Sequence, residues 1–118
     1  MKIYNSNEDV KKDIINGVLK INEDVKFDFE YLTIDAKLIV LGDIDAWNID
    51  AWNIDARNIY ARNIKAWDID ASNIDAEDIS YYAACFAREN FLCKSIIGRR
   101  ENSKHFCLDN EIKFVEGK

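Results

Sequence analysis

All three cysteines and the single histidine fall in the last third of the chain, at Cys85, Cys93, His105 and Cys107. Three thiolates and an imidazole form a donor set that suits zinc. Their spacings of eight, twelve and two residues contain no C-x-x-C pair, and small buried thiols near the end of a core explain them without a metal. A Cys–His nucleophile pair requires a third group to orient the base and a feature to receive an oxyanion; no such feature is legible. His105, next to Phe106, reads as a surface or loop residue. The rows Asp50/Asp70 and Asp55/Asp75 carry the oxygens calcium prefers, but the Gly-rich nonapeptides of calcium-binding β-helices are missing, and a solvated acidic face is the simpler reading. Arg99, Arg100 and Lys104 form a basic patch with His105 and read as a solvated loop. The expectation is a non-enzymatic protein with no cofactor and no metal.

The chemistry that remains is recognition. Trp47, Trp52 and Trp67 recur at one slot of a repeat, and Arg57 and Arg62 fill that slot in other units. Trp and Arg are the side chains most enriched at the energetic centres of interfaces. These five residues are the candidate interaction surface, for a protein partner or for self-association.

The element that must position them is the repeat itself. From Asp43 to Ser80 the chain reads DIDAW NIDAW NIDAR NIYAR NIKAW DIDAS NIDAE DIS, with Ile at 44, 49, 54, 59, 64, 69, 74 and 79. A five-residue period fits neither a helix nor a flat strand; it marks a solenoid. Ile and Ala two apart share one face of an extended segment. The three-residue step between them is a corner, and Asn or Asp suits a corner because it bonds its own backbone. Each short side buries its Ile only when coils stack. The phase extends outward through Ile34/Ala36, Ile39/Leu41 and Phe29/Tyr31, and on to Ala84/Phe86.

The number of sides decides which residues meet. Stacking twenty apart puts Trp47 on Trp67, Arg57 on Glu77, and Asp50 on Asp70. Stacking fifteen apart puts Trp52 on Trp67 and Asp50 on Lys65, but Asp55 on Asp70. These pairings alone favour neither strongly.

The motif resembles that of the pentapeptide-repeat proteins, where Asn or Asp precedes a bulky apolar centre, as in Asn48-Ile49, Asn58-Ile59 and Asp68-Ile69. That family sets a small Ala two residues before the centre. Here Trp47, Arg57 and Trp67 occupy those places, and Ala51, Ala61 and Ala71 follow the Ile instead, so the chain is a variant. The resemblance implies an all-β fold: a short, four-sided parallel β-helix with about five residues per side, in about three coils. It also implies an alternative function, because some proteins of that kind are acidic rods that occupy the DNA site of a type II topoisomerase. Three coils at about 4.8 Å span only about 15 Å, or about four base-pair steps.

One domain is expected: an N-terminal cap over 1–28, a solenoid over 29–86 and a C-terminal cap over 87–118. Ser6-Asn7-Glu8-Asp9 resembles a capping box, and Val10, Ile14 and Val18 continue at helical spacing towards Gly17. Val25, Phe27, Phe29 and Tyr31 alternate with polar residues as a strand does. Gly98 to Asn102 reads as a loop within irregular C-terminal strands, and Glu116 to Lys118 as a frayed end. The net charge is −6, all of it carried by residues 43–80, while 81–118 carry +2 and 1–42 carry −2. The acidic coil therefore does not bind nucleic acid directly. No apolar run is long enough for a membrane helix. With an odd cysteine count and no secretory h-region at the start, the expectation is a cytoplasmic protein with reduced thiols. The solenoid ends offer a route to a homodimer.

Overall fold

A computed structural model describes residues 1–114; the expected fraying of Glu116–Lys118 lies outside them. In chain order the elements are β1 (Lys2–Tyr4), α1 (Asn7–Lys12), β2 (Val18–Ile21), β3 (Val25–Thr33), β4 (Lys37–Val40), β5 (Asp43–Asp50), β6 (Asn53–Cys93), β7 (Ser95–Gly98), β8 (Lys104–Cys107) and β9 (Lys113–Phe114). Every ladder between them is parallel. The architecture is a β-solenoid of stacked coils, about five turns in all. Among the described residues no helix is long and apolar enough to cross a membrane.

The coil is three-sided, which corrects the expectation of four. Ile44 pairs with Ile59 and Ile49 with Ile64, an interval of fifteen residues or three five-residue sides. The first side carries β1, the start of β3, the start of β5 and β9. The second carries the end of β3, the end of β5 and β7. The third carries β2, β4 and β8. β6 winds through successive corners and adds further rungs to each side.

The side-chain volumes suit this number. Each strict coil sends three Ile and three Ala inward, and Ile44, Ile49, Ile54, Ile59 and Ile64 are all buried. Three short sides let these residues meet in the middle. The buried Ile and Ala of three sides fill the interior, as a close-packed core requires.

Fifteen-residue stacking also aligns the corners. Asn58 donates to Asp43 Oδ1 at 2.8 Å, Asn73 donates to Asn58 Oδ1 at 2.6 Å, and Asn90 donates to Asn73 Oδ1 at 3.0 Å. On the next corner Asn63 donates to Asn48 Oδ1 at 2.6 Å, and Asn48 to the Glu30 carbonyl at 2.8 Å. An amide both gives and accepts, so Asn at this slot links one coil to the next. Asp50 lies opposite Lys65, and the like-charge pair Asp50/Asp70 of a four-sided coil does not arise.

The coils run through the segments expected as caps. Lys2 already pairs with Val25 and Cys93 with Phe114, and the longest dimension is 37 Å. α1 is N-capped by Ser6, whose hydroxyl accepts from Asp9 N at 3.2 Å. It is shorter than the spacing suggested, because Val18 belongs to β2. Asn16 and Gly17 have φ of 52° and 75°, a left-handed pair closing a tight turn between Ile15 and Val18. Gly42 has a different reason: a Cβ there would strike the Asp24 carboxylate, which accepts from Asp43 N at 2.7 Å.

Ile59→Ala is expected to lower the free energy of unfolding in urea by about 2–5 kcal/mol. Asn58→Ala should cost about 1–3 kcal/mol through its stranded partners, and exposed Tyr60→Ala under about 0.5 kcal/mol. A Tyr60 cost equal to that of Ile59 would contradict the inward and outward assignment.

Candidate interaction surface

The slot after each inward Ala lies at a corner, so its side chain points to solvent and stacks on the slot fifteen residues away. The corner that ends the second side carries Trp52, Trp67 and Tyr82. Trp52 and Trp67 stack with ring centroids 6.1 Å apart and planes 15° apart. Tyr82 continues the column 6.3 Å from Trp67 at 44°, and the Arg100 guanidinium lies 5.7 Å from the Tyr82 ring. The three rings are 44%, 55% and 43% exposed. The backbone is locked beneath them, with Trp67 N donating to the Trp52 carbonyl at 2.7 Å. Aromatic pairs of this kind contribute about 0.5–1.5 kcal/mol each.

The corner that ends the first side holds Trp47 and Arg62. The guanidinium sits 5.2 Å from the Trp47 ring, and its Nε is 3.5 Å from Glu77. Beside Trp47, a shallow depression is lined by Asp28, Phe29 and Glu30. Arg57 stands apart on the third corner, 3.1 Å from Asp43 and 3.6 Å from Asp24. The five candidate residues therefore occupy three corners. Trp47 and Trp67 do not share a column, and Arg57 does not stack on Glu77. Tyr82 and Arg100 complete the column and were not singled out for it. Tyr82 was detectable by counting fifteen onward from Trp67; Arg100 reaches the column only because the 99–103 loop folds back.

The cysteine and histidine geometry is a core end. His105 lies opposite Cys85, Cys107 opposite Ala87, and Phe114 opposite Cys93. All three thiols are free. Among the described residues no three His, Cys, Asp or Glu side chains gather closely enough to hold a metal ion. His105 Nδ1 is hydrogen bonded to the Tyr81 hydroxyl at 2.6 Å. Burial, with Cys93 nearby, pushes the Cys85 thiol far above the usual thiol range. Burial and the Asp78 charge raise Cys93 to about 11. A nucleophilic thiol needs the opposite shift. The carboxylates paired for calcium are also separated, since Asp50 faces Lys65 and Asp70 is held by Arg88 at 3.0 Å.

Neither a family model, nor a curated protein, nor a solved structure matches this chain.

In the native protein Cys107, half-exposed, should react with a maleimide while Cys85 and Cys93 react only on unfolding, read by mass spectrometry. Because the folded Cys93 thiol holds its proton more tightly than the unfolded one, its contribution to stability is fully present below pH 9.0 and is lost as pH rises towards about 11. Urea midpoints should fall over that window, and less steeply in Cys93→Ala. An identical slope in the variant would assign the loss to other groups.

Proposed function

We propose that this chain is a non-enzymatic β-solenoid that acts as a protein-interaction module in the cytoplasm, with Trp52, Trp67 and Tyr82 as its principal binding edge. The observation that carries the reading is the exposed aromatic column. Large rings already immobilised by stacking lose little conformational freedom on binding, so more of their contact energy appears as affinity. Arg100 adds a guanidinium at the end of the column, next to the aromatic contacts where Arg is most effective. Trp47 and Arg62 extend the surface to a second corner. Arg57 is saturated by two carboxylates and serves the coil.

Kinship with the pentapeptide-repeat proteins is consistent with the stacked parallel coils and the Asn-Ile corners, although fifteen residues per coil departs from their square section. The alternative, mimicry of DNA towards a type II topoisomerase, gains from the observed length. About five turns at about 4.8 Å span about 24 Å, or about seven base-pair steps. Charge weighs against it: Arg57, Arg62 and Arg88 each pair with acids of the solenoid, and Lys65 interrupts the row opposite Asp50. The acids therefore form no unbroken phosphate-like row.

Tagged protein is expected to copurify a specific partner that the double variant Trp52→Ser/Trp67→Ser loses and Arg57→Ser keeps, with thermal unfolding confirming that both variants fold. Retention by the double variant would remove the aromatic edge from the function. Recovery of a topoisomerase, with inhibition of its supercoiling, would establish the alternative.

A further inference from the structure

The two ends of the solenoid are finished differently. At the N-terminal end the inward residues Tyr4, Val10, Leu19 and Leu32 are buried. α1 covers the edge of the second side there: Asn7 donates to the Tyr31 carbonyl at 2.9 Å and accepts from Thr33 N at 2.9 Å, in place of a further rung. At the other end nothing among the described residues does this. Among the described residues β7, β8 and β9 each pair with β6 alone, so all three sides finish on a strand with one free edge. At the N-terminal end only the two sides that begin with β1 and β2 do. Inward positions lie open as well. Phe114, opposite buried Cys93, is 59% exposed, and Ile96, opposite buried Ile79, is only half-buried. Ile97, Phe106 and Leu108 add exposed apolar surface around them. A flat sheet edge with apolar flanks is a template for strand pairing.

We propose that this end binds the same end of a second copy, across a two-fold axis through the middle of β8. Three features select that occupant. α1 closes part of the N-terminal end, which rules out regular head-to-tail stacking. The charges beside β8 are self-complementary: Lys104 opens the strand and Asp109 and Glu111 follow it, ahead of Lys113, while Arg99 reaches back to the Ala66 carbonyl at 2.9 Å and Arg100 lies over Tyr82. A two-fold axis through β8 sets each Lys104 towards the partner's acidic Asp109–Glu111 loop, as an isologous interface requires. The strand directions also agree. The same axis pairs β8 antiparallel with β8 of the second copy, and β7 antiparallel with its β9, so all three free edges are satisfied together. Phe106, already stacked on Phe86 at 5.4 Å and 6°, lies next to the axis and brings the aromatic ladder to the second copy. The resulting dimer carries two aromatic columns, one on each copy.

Sedimentation equilibrium of the full chain tests this. The expected result is a dimer whose affinity falls about tenfold or more in Lys104→Glu and likewise in Glu111→Lys, and recovers when both changes are combined. Each single variant reads the same contact from opposite sides, so one misfolded variant leaves the other informative; circular dichroism melts identify which have folded. A monomer at about 100 μM, or a dimer indifferent to both folded charge reversals, overturns the proposal. A dimer lost instead in Trp52→Ser/Trp67→Ser places self-association on the aromatic corner and overturns it equally.

Discussion

Isoleucine stacked on isoleucine at a fixed interval of fifteen residues is the contact on which the rest of this molecule depends. Neither Ile44 nor Ile59 has a core of its own; each is buried because the other lies at strand spacing above or below it. Once that interval is set, every other position in the repeat is set with it. The residue between Ile and Ala faces solvent, the Asn slot meets the Asn of the neighbouring coil, and the slot after Ala forms a column along a corner. A one-residue slip would turn the Ile and Ala out and the Asp and Lys in, so the core and the surface are specified by one register.

The corners show what that regularity allows. With backbone positions recurring once per coil, side chains of very different chemistry find partners simply by recurring. Amides hand a hydrogen bond from Asn90 to Asn73 to Asn58 to Asp43. Arg62 lies over Trp47 and reaches Glu77. Trp52, Trp67 and Tyr82 lie in one exposed line. The last of these has no structural need for tryptophan, because Ser72 and Glu77 fill the same slot elsewhere in the coil. That surplus of aromatic surface on one edge is the physical basis for assigning the edge to recognition.

A stacked fold also concentrates its unfinished business at its ends. Interior rungs are paired on both sides, and only the first and last carry free backbone groups. The chain closes one side of its N-terminal end internally, with six helical residues and a single asparagine side chain imitating a strand, while β1 and β2 keep free edges there. Among the described residues the other end retains three free edges and exposed apolar side chains, with Lys104 at the start of β8 and Asp109 and Glu111 after it. Cys85 and Cys93 belong to this region, yet their buried, strongly protonated thiols make them packing residues of the last coils.

The solenoid, the inward Ile and Ala, the outward tryptophans, the Asn corners, the Ser6 cap and the 98–102 turn were all legible in the sequence, because each follows from local period, propensity or capping chemistry. The number of sides was not. The pattern repeats every five residues whether three or four sides close the coil, and Asp, Asn and Trp pairings can be found at either interval. Only the backbone pairing chooses, with Ile44 opposite Ile59 and Ile49 opposite Ile64, and pairing is a property of the closed coil. The same limit hid the aromatic column, since which Trp meets which depends on the closure, and it hid the partners of the irregular strands at both ends, where intervals lengthen past fifteen and the motif fades while backbone pairing persists. Sequence by itself determined that this chain stacks and which atoms face in; the tertiary structure decided which residues become neighbours, because neighbours along a solenoid are set by the length of one full turn.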